Sequence, residues 1–241
     1  MQKILAIDIG NTNITVGSFD GIKLVKKEKI PTSAYPLYKK IAQYPADEII
    51  ISSVVPLALA RIVCELNRVS KRKVVILGKD IKVPIENLYR NKKEVGQDRL
   101  INAFGARAIY GVPAVIIDFG TAITFDVISN KGSYLGGLIL PGIEMGLNSL
   151  YDKTALLPRV ELKPAKSIIG KDTVNSMRGG ILFGYGAMCD GLVSKYRALL
   201  GRRIKVIATG GNARLIKQYA RSIQIVDEDL TLKSLALIRP R

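Results

Sequence analysis

Histidine is absent from the 241-residue chain. That excludes a Ser-His-Asp triad, a Cys-His dyad and any histidine-ligated metal. Acid–base chemistry is left to carboxylates, lysine, tyrosine or a thiol. Cysteine is scarce. Cys64 and Cys189 lie far apart, form no CxxC, and suit small core positions in a reducing compartment. No uncharged apolar run approaches the ~18 residues of a membrane span. Asp8 interrupts what would be the core of a signal peptide, so the reading is of a soluble cytoplasmic protein with no membrane partner. Low-complexity stretches and Ser/Gly/Pro-rich linkers are missing as well.

Two common phosphate-binding loops are also absent. A Walker A loop needs GxxxxGK[ST], but Asp172 follows Gly170-Lys171 and Ala165 stands at the first glycine position. No GxGxxG follows a strand, so neither a Rossmann dinucleotide site nor a protein-kinase glycine loop is supported.

Hydrophobic residues at 48% and charged residues at 24% are globular values, which excludes disorder as the main state. Lys+Arg is 37 against 20 Asp+Glu, a formal charge of +17 that draws polyanions, phosphate esters being the small ones. A solvated basic surface without a specific partner is the alternative.

Patterning predicts strands at Lys3–Ile9, Ile14–Phe19 and Ile22–Lys27, the last two joined by the hairpin signal Asp20-Gly21. A helix over Ser33–Tyr44, a strand at Glu48–Ser52, a helix over Pro56–Val69 and a strand at Lys73–Leu77 follow. In Pro56–Val69 the residues Leu57, Ala60, Val63, Cys64 and Leu66 fall at helical spacing. The second half repeats the scheme. A helix at Asp98–Ile109 precedes strands at Pro113–Ile117, Ala122–Ser129 and Ser133–Leu140. Helices near Gly142–Leu150 and Thr173–Leu200 come next, the second interrupted by glycines that argue against its continuity. A strand at Ile204–Ala208, a helix at Asn212–Ala220, a strand at Ile223–Val226 and a helix at Leu230–Ile238 complete the chain.

One internal echo stands out. Ile7-Asp8-Ile9-Gly10-Asn11-Thr12 and Ile117-Asp118-Phe119-Gly120-Thr121-Ala122 share a shape: apolar strand, Asp-x-Gly, small polar turn, hairpin. Either could be an ordinary turn. Two of them, each opening a β-β-β-α series, point to a duplicated α/β domain. A third glycine turn, Thr209-Gly210-Gly211-Asn212, follows a strand and opens a helix. Glycines let backbone N–H groups approach phosphates, threonines add donors, and a neighbouring carboxylate can hold hydrated magnesium. These parts suit a nucleoside triphosphate held at strand ends. Gly96-Gln97-Asp98-Arg99 is the other constellation. Exposed N–H groups at the helix start stabilise the negative charge of Asp98, suiting it to accept a proton from an alcohol attacking a γ-phosphate. Arg99 offers a forked donor for a carboxylate or phosphate. A helix cap with a surface ion pair is the alternative.

Taken in order, Asp8-Ile9-Gly10-Asn11-Thr12, Gly96-Gln97-Asp98-Arg99, Asp118-Phe119-Gly120-Thr121-Ala122 and Thr209-Gly210-Gly211 resemble the signatures of the type III pantothenate kinases. So do Gly136-Gly137, Pro141-Gly142, Thr154-Ala155-Leu156-Leu157-Pro158 and Gly170-Lys171-Asp172-Thr173. The resemblance implies an α/β fold of duplicated actin-like (ribonuclease H-like) lobes, of the acetate and sugar kinase/Hsp70/actin superfamily, with ATP in the cleft between them. The expected lobes are residues 1–105 and 106–241, with the final helix free to cross back. It implies ATP-dependent phosphorylation of pantothenate, the first step toward coenzyme A.

The resemblance also implies residue roles. Asp8, Ile9, Gly10, Asn11, Thr12, Asn13, Ile14 and Thr15 would form the first phosphate loop, with Asp8 near magnesium through water. Thr121, Gly210 and Gly211 would contact ATP. Asp98 would be the catalytic base. Gly96, Gln97, Arg99, Tyr89 and Thr173 would line the pantothenate site, and Asp118 would hold potassium or ammonium. Asn91-Lys92 departs from the family's Asn-Pro, and Gln97 is larger than its usual small residue. The family is dimeric, and the second lobe's long helix is an expected interface. Two readings compete: another small-molecule kinase of the same fold, and a non-catalytic regulator bound to nucleic acid. The net charge favours the regulator. The spread of basic residues, an aromatic content of 6% and the lack of any helix-turn-helix, zinc-finger or RNA-binding signature argue against it, so nucleic acid is not the expected partner.

Overall fold

The computed structural model describes residues 2–34, 38–41, 43–69 and 72–238. Strand β1 (Lys3–Ile9) is buried on both faces. Leu5, Ile7 and Ile9 enter one apolar cluster, Ile4 and Ala6 another, as a period of two requires. Such a strand belongs at the centre of a covered sheet. β2 (Asn13–Asp20) and β3 (Lys23–Pro31) continue from it as an antiparallel meander. β4 (Glu48–Ser53) and β5 (Lys73–Ile76) add on the other side in parallel. The sheet order is β3-β2-β1-β4-β5. Edge strand β3 carries Lys23, Lys26, Lys27 and Lys29, charges that discourage edge-to-edge pairing.

Helix α1 is one turn, Tyr38–Ile41. Within the expected helix over Ser33–Tyr44, residues 35–37 and 42 lie outside the described residues. α2 (Pro56–Val69) has the expected bounds but buries a different stripe. Ala58, Ile62 and Leu66 face the core, whereas Leu57 is 75% exposed and Cys64 is exposed. The spacing of 58, 62 and 66 is a clean i+4 ridge. The sequence held two overlapping apolar stripes, and β1 and β4 select the one with branched bulk. α3 (Gln97–Tyr110) follows.

The second series repeats the first. β6 (Ala114–Phe119), β7 (Ala122–Ile128) and β8 (Tyr134–Pro141) form a meander, and β9 (Lys205–Thr209) and β10 (Ile225–Val226) add in parallel beside β6. The order β10-β9-β6-β7-β8 is the first sheet's order, strand for strand. Between β8 and β9 lie α4 (Ile143–Asp152) and α5 (Thr173–Leu200). α6 (Ala213–Lys217) and α7 (Leu230–Leu237) complete the chain.

The glycines of α5 do not break it, and the helix runs unbroken for 28 residues. At Gly186 an added Cβ would lie 2.4 Å from the Tyr219 carbonyl oxygen. The missing side chain is where the segment after α6 passes over the helix. Nearby, the Phe183 and Tyr219 rings meet edge-on at 4.9 Å.

Two compact units result. One runs through Ile109 and takes back α7; the other is Tyr110–Glu228. Residue 105, the expected division, lies inside helix α3, and the final helix, left free to cross back, lies with the first unit. α7 joins the first unit because Leu232, Leu235 and Ala236 bury against Ile4 and Ala6 of β1. The sequence shows α7 as apolar but not which sheet it covers. Among the described residues no helix is long and apolar enough to cross a membrane.

Two glycines of α5 give opposite expectations. Gly186→Ala should lower the unfolding free energy by about 1–3 kcal/mol, seen as a lower urea midpoint, because backbone must move to admit the methyl group. Gly191→Ala, with nothing within 4 Å of the new methyl group, should raise stability by roughly 0.5–1 kcal/mol. Equal effects in urea melts would contradict the packing described.

Candidate active site

In the first unit, alternation puts Asp8 on the same face of β1 as Ile4 and Ala6. α3 packs on that face through Ile101 and Phe104. The packing carries the first turn of α3, and with it Asp98, close enough to Asp8 for their charges to interact. Ser52 is the register partner of Asp8 on β4, and its hydroxyl lies beside the carboxyl. Asp98 Oδ1 accepts a hydrogen bond from the Arg99 N–H at 2.9 Å. This turn-back needs Gly96, where a Cβ would sit 2.3 Å from that oxygen. Arg99 is buried, and Gln97 packs against Gly78.

The turn after β1 is tied down by its own backbone. Gly10 N–H donates to Asn13 O at 2.9 Å, and Thr32 N–H donates to Thr12 O at 3.0 Å. Thr32 Oγ1 donates to Gly10 O at 2.7 Å. Asn11 and Thr12 are left exposed on the turn. Ile9 and Ile14 are fully buried, so within this loop they offer backbone groups and anchor it to the core. Thr15 stands opposite Asp8 on β2. Tyr89 is half-buried in the segment leading to Gly96, and its N–H donates to Asn87 Oδ1 at 2.9 Å. Asn91 caps a single 3-10 turn at Lys92–Glu94, accepting from Lys93 N–H at 3.3 Å and donating to Glu94 at 2.6 Å.

The second unit repeats the strand-end arrangement. Asp118 on β6 has Thr209 as its lateral partner on β9, as Asp8 has Ser52. Gly210 follows Thr209 with φ +87°, a conformation that favours glycine. A Cβ there would lie 2.4 Å from Asp118 Oδ1. On the other side, a Cβ at Gly142 would lie 2.0 Å from the Thr121 carbonyl oxygen and 2.9 Å from that of Gly120. The turn Asp118–Thr121 is thus gripped between Gly142, at the start of α4, and Gly210. Thr121 and Gly211 are exposed. Thr173 opens α5, capped by Asp172, which accepts from the Asn175 N–H at 2.8 Å. Ser52 carried no role in the sequence and becomes visible only through strand register; Thr209 and Gly142 were present in the Thr209-Gly210-Gly211 and Pro141-Gly142 motifs, and the structure sets them beside Asp118 and Thr121.

The family profile described as type III pantothenate kinase matches residues 4–195. The chain belongs to the type III pantothenate kinase family. A type III pantothenate kinase from Syntrophus aciditrophicus is 43% identical over 253 residues, covering 99% of each chain. Among solved structures, a Baf family protein from Campylobacter jejuni superimposes with TM-score 0.63 at 21% identity, over 96% of this chain and 94% of that one. An inorganic polyphosphate/ATP-glucomannokinase from Arthrobacter gives 0.52 at 16% identity, over 98% of each chain. These likenesses, with the repeated strand order, show the duplicated actin-like fold.

For a kinase of this family the electrostatics are informative. Burial pushes the Asp8 carboxyl up to about 7, the Asp98 charge adds to the rise, and the Ser52 hydroxyl opposes both. Among the described residues no three acidic or cysteine side chains cluster. Magnesium near Asp8 would therefore rely on one or two carboxylates, water and nucleotide phosphates, a donor set it favours. A cation there would also offset the repulsion between Asp8 and Asp98. Asp118 offers a carboxylate, an oxygen donor of the kind a hard monovalent ion takes.

The Asp8 shift sets a pH dependence. The folded protein holds the Asp8 proton more tightly than the unfolded chain. The stabilisation from that proton is present at low pH and is lost as pH rises from about 4 through about 7. In ligand-free protein, the stability of wild type relative to Asp8→Asn should therefore fall across that window, measured by urea unfolding. A constant difference would contradict the buried setting of Asp8.

Proposed function

We propose that the protein transfers the γ-phosphoryl group of ATP to the terminal hydroxyl of pantothenate, giving 4′-phosphopantothenate, the first step of coenzyme A biosynthesis. Family membership supports the reaction. The apposition of Asp98 and Asp8 at the start of α3 supports the mechanism. Asp98 takes the proton from the pantothenate hydroxyl as its oxygen bonds to the γ-phosphorus. The bond from that phosphorus to the bridging oxygen breaks, and ADP leaves with the electron pair. Such transfers rest on positioning and charge neutralisation more than on covalent chemistry, consistent with a chain that has no histidine.

The turn Asp8–Thr15, with Thr121, Gly210 and Gly211, holds ATP. The backbone bonding of Gly10 to Asn13, and the grip of Gly142 and Gly210 on the second turn, support loops that are shaped before ligand arrives. Gly96, Gln97, Arg99, Tyr89 and Thr173 bind pantothenate, Arg99 as a forked donor. Asp8 holds magnesium through water and Asp118 holds potassium or ammonium; both ions offset phosphate charge when bound. The protein works as a homodimer in the cytoplasm. Edge strand β8 supports the dimer, since Leu138 and Ile139 are 40% and 65% exposed there.

Asp98→Asn should lower kcat by roughly 10²–10⁴-fold, the usual contribution of a general base, with ATP affinity nearly unchanged. Turnover at the wild-type rate would remove Asp98 from the mechanism. Asp118→Ala should abolish the response to potassium or ammonium in the same assay, and an unaltered cation titration would contradict its assignment. In an acceptor panel of sugars and small acids, pantothenate alone should sustain ADP release. Release with a sugar instead would move the protein to another kinase of the fold.

A further inference from the structure

The sheet of the second unit has two ends. Asp118 and Thr209 mark the C-terminal ends of β6 and β9. At the opposite ends of the same strands lies a cavity of about 520 Å³. It is formed where α5 stops, β6 and β9 begin, and the β7–β8 hairpin turns. Along β6 the run from Ala114 to Asp118 spans about 13 Å at ~3.3 Å per residue, so the cavity is separate from the residues assigned to ATP and pantothenate.

Its lining is unusual in charge. Arg202, Arg203 and Lys205 contribute three cations, and no acidic residue joins them. Among the described residues none of these three side chains makes an ion pair or hydrogen bond. Other basic residues do find partners: Lys27 with Asp229, Lys163 with Glu161 and Arg214 with Glu228. Three unpaired cations sharing one concavity repel one another, and an anion of two or three charges relieves that repulsion. The C-terminus of α5 faces the same region, but its roughly half unit of negative charge is small against three full positive charges. The Gly201 N–H already closes back on the Arg197 carbonyl at 3.0 Å.

The rest of the wall is apolar. Val112, Pro113 and Leu200 line one side, and Asn130 adds an amide. A bare inorganic ion leaves that wall wet, whereas a phosphate joined to an apolar body covers it. The volume lies within the usual range for small-ligand sites. Arginine is suited to bidentate phosphate binding. We infer that this cavity is a second anion site, which takes a small organic phosphate through Arg202, Arg203 and Lys205 and seats its apolar part on Val112, Pro113 and Leu200. The site also gives part of the high positive charge a specific task that phosphoryl transfer does not require.

Phenyl phosphate and inorganic phosphate serve as probes, titrated calorimetrically into the full chain at low ionic strength, with ADP saturating the nucleotide site. Wild type should bind one phenyl phosphate per chain, more tightly than inorganic phosphate. Arg202→Ala/Arg203→Ala should weaken phenyl phosphate roughly tenfold or more, as loss of two charge-assisted contacts predicts. Its pantothenate kinase turnover should stay at the wild-type level. Lys205→Gln gives an independent single change and should also weaken the probe. Equal affinity in wild type and both variants, no binding at all, or equal affinity for the two probes would overturn the inference. A short single-stranded DNA that binds more tightly than phenyl phosphate, and loses that affinity in the same variants, would overturn it in favour of a nucleic-acid surface.

Discussion

Two carboxylates held close together in a poorly hydrated place repel each other, and the first unit is organised around such a pair. Asp8 lies near the end of the central strand of its sheet, and Asp98 is brought to it by the packing of α3 on the same face. Protonation of Asp8 or a cation would relieve the repulsion. Ser52 supplies a modest opposing contribution from the neighbouring strand. The core beneath, from Ile4 and Ala6 to Ile101 and Leu235, sets the position of both groups. The proposed catalysis builds on this constraint, with one carboxylate assigned to the ion and the other to the proton.

The second unit uses the same strand order for a different end. Its Asp118 occupies the position of Asp8, with Thr209 in place of Ser52. The turn after it is gripped by two glycines from different parts of the chain, Gly142 and Gly210. Duplication thus supplied two strand-end turns. Their surroundings differ: Asp98 approaches the first, and Gly142 and Gly210 enclose the second.

Much of this was legible in the residues. The bounds expected for β1, α2 and α5 match the structure. The repeated Asp-x-Gly strand ends disclose the duplication from the residues alone. What stayed hidden depends on tertiary partners. Leu57 and Ala58 both fit an amphipathic helix, and only the sheet beneath α2 decides which is buried. The glycines of α5 look like helix breakers until the backbone at Tyr219 is seen against Gly186. Ser52 is an ordinary strand-end serine until register places it beside Asp8. The side on which α7 packs, and hence the division of the chain, is likewise invisible to periodicity. Nor does spacing show Arg202, Arg203 and Lys205 lining one cavity with Val112 and Leu200.

The most direct measurement is a carbon-13 titration of the Asp8 carboxyl in ligand-free protein, in wild type and in Asp98→Asn. The account predicts a wild-type midpoint near the value of about 7 that burial and Asp98 together impose. It predicts a lower midpoint once the Asp98 charge is removed. An ordinary carboxylate midpoint in wild type, or the same midpoint in both proteins, would contradict the pairing on which the catalytic assignment rests.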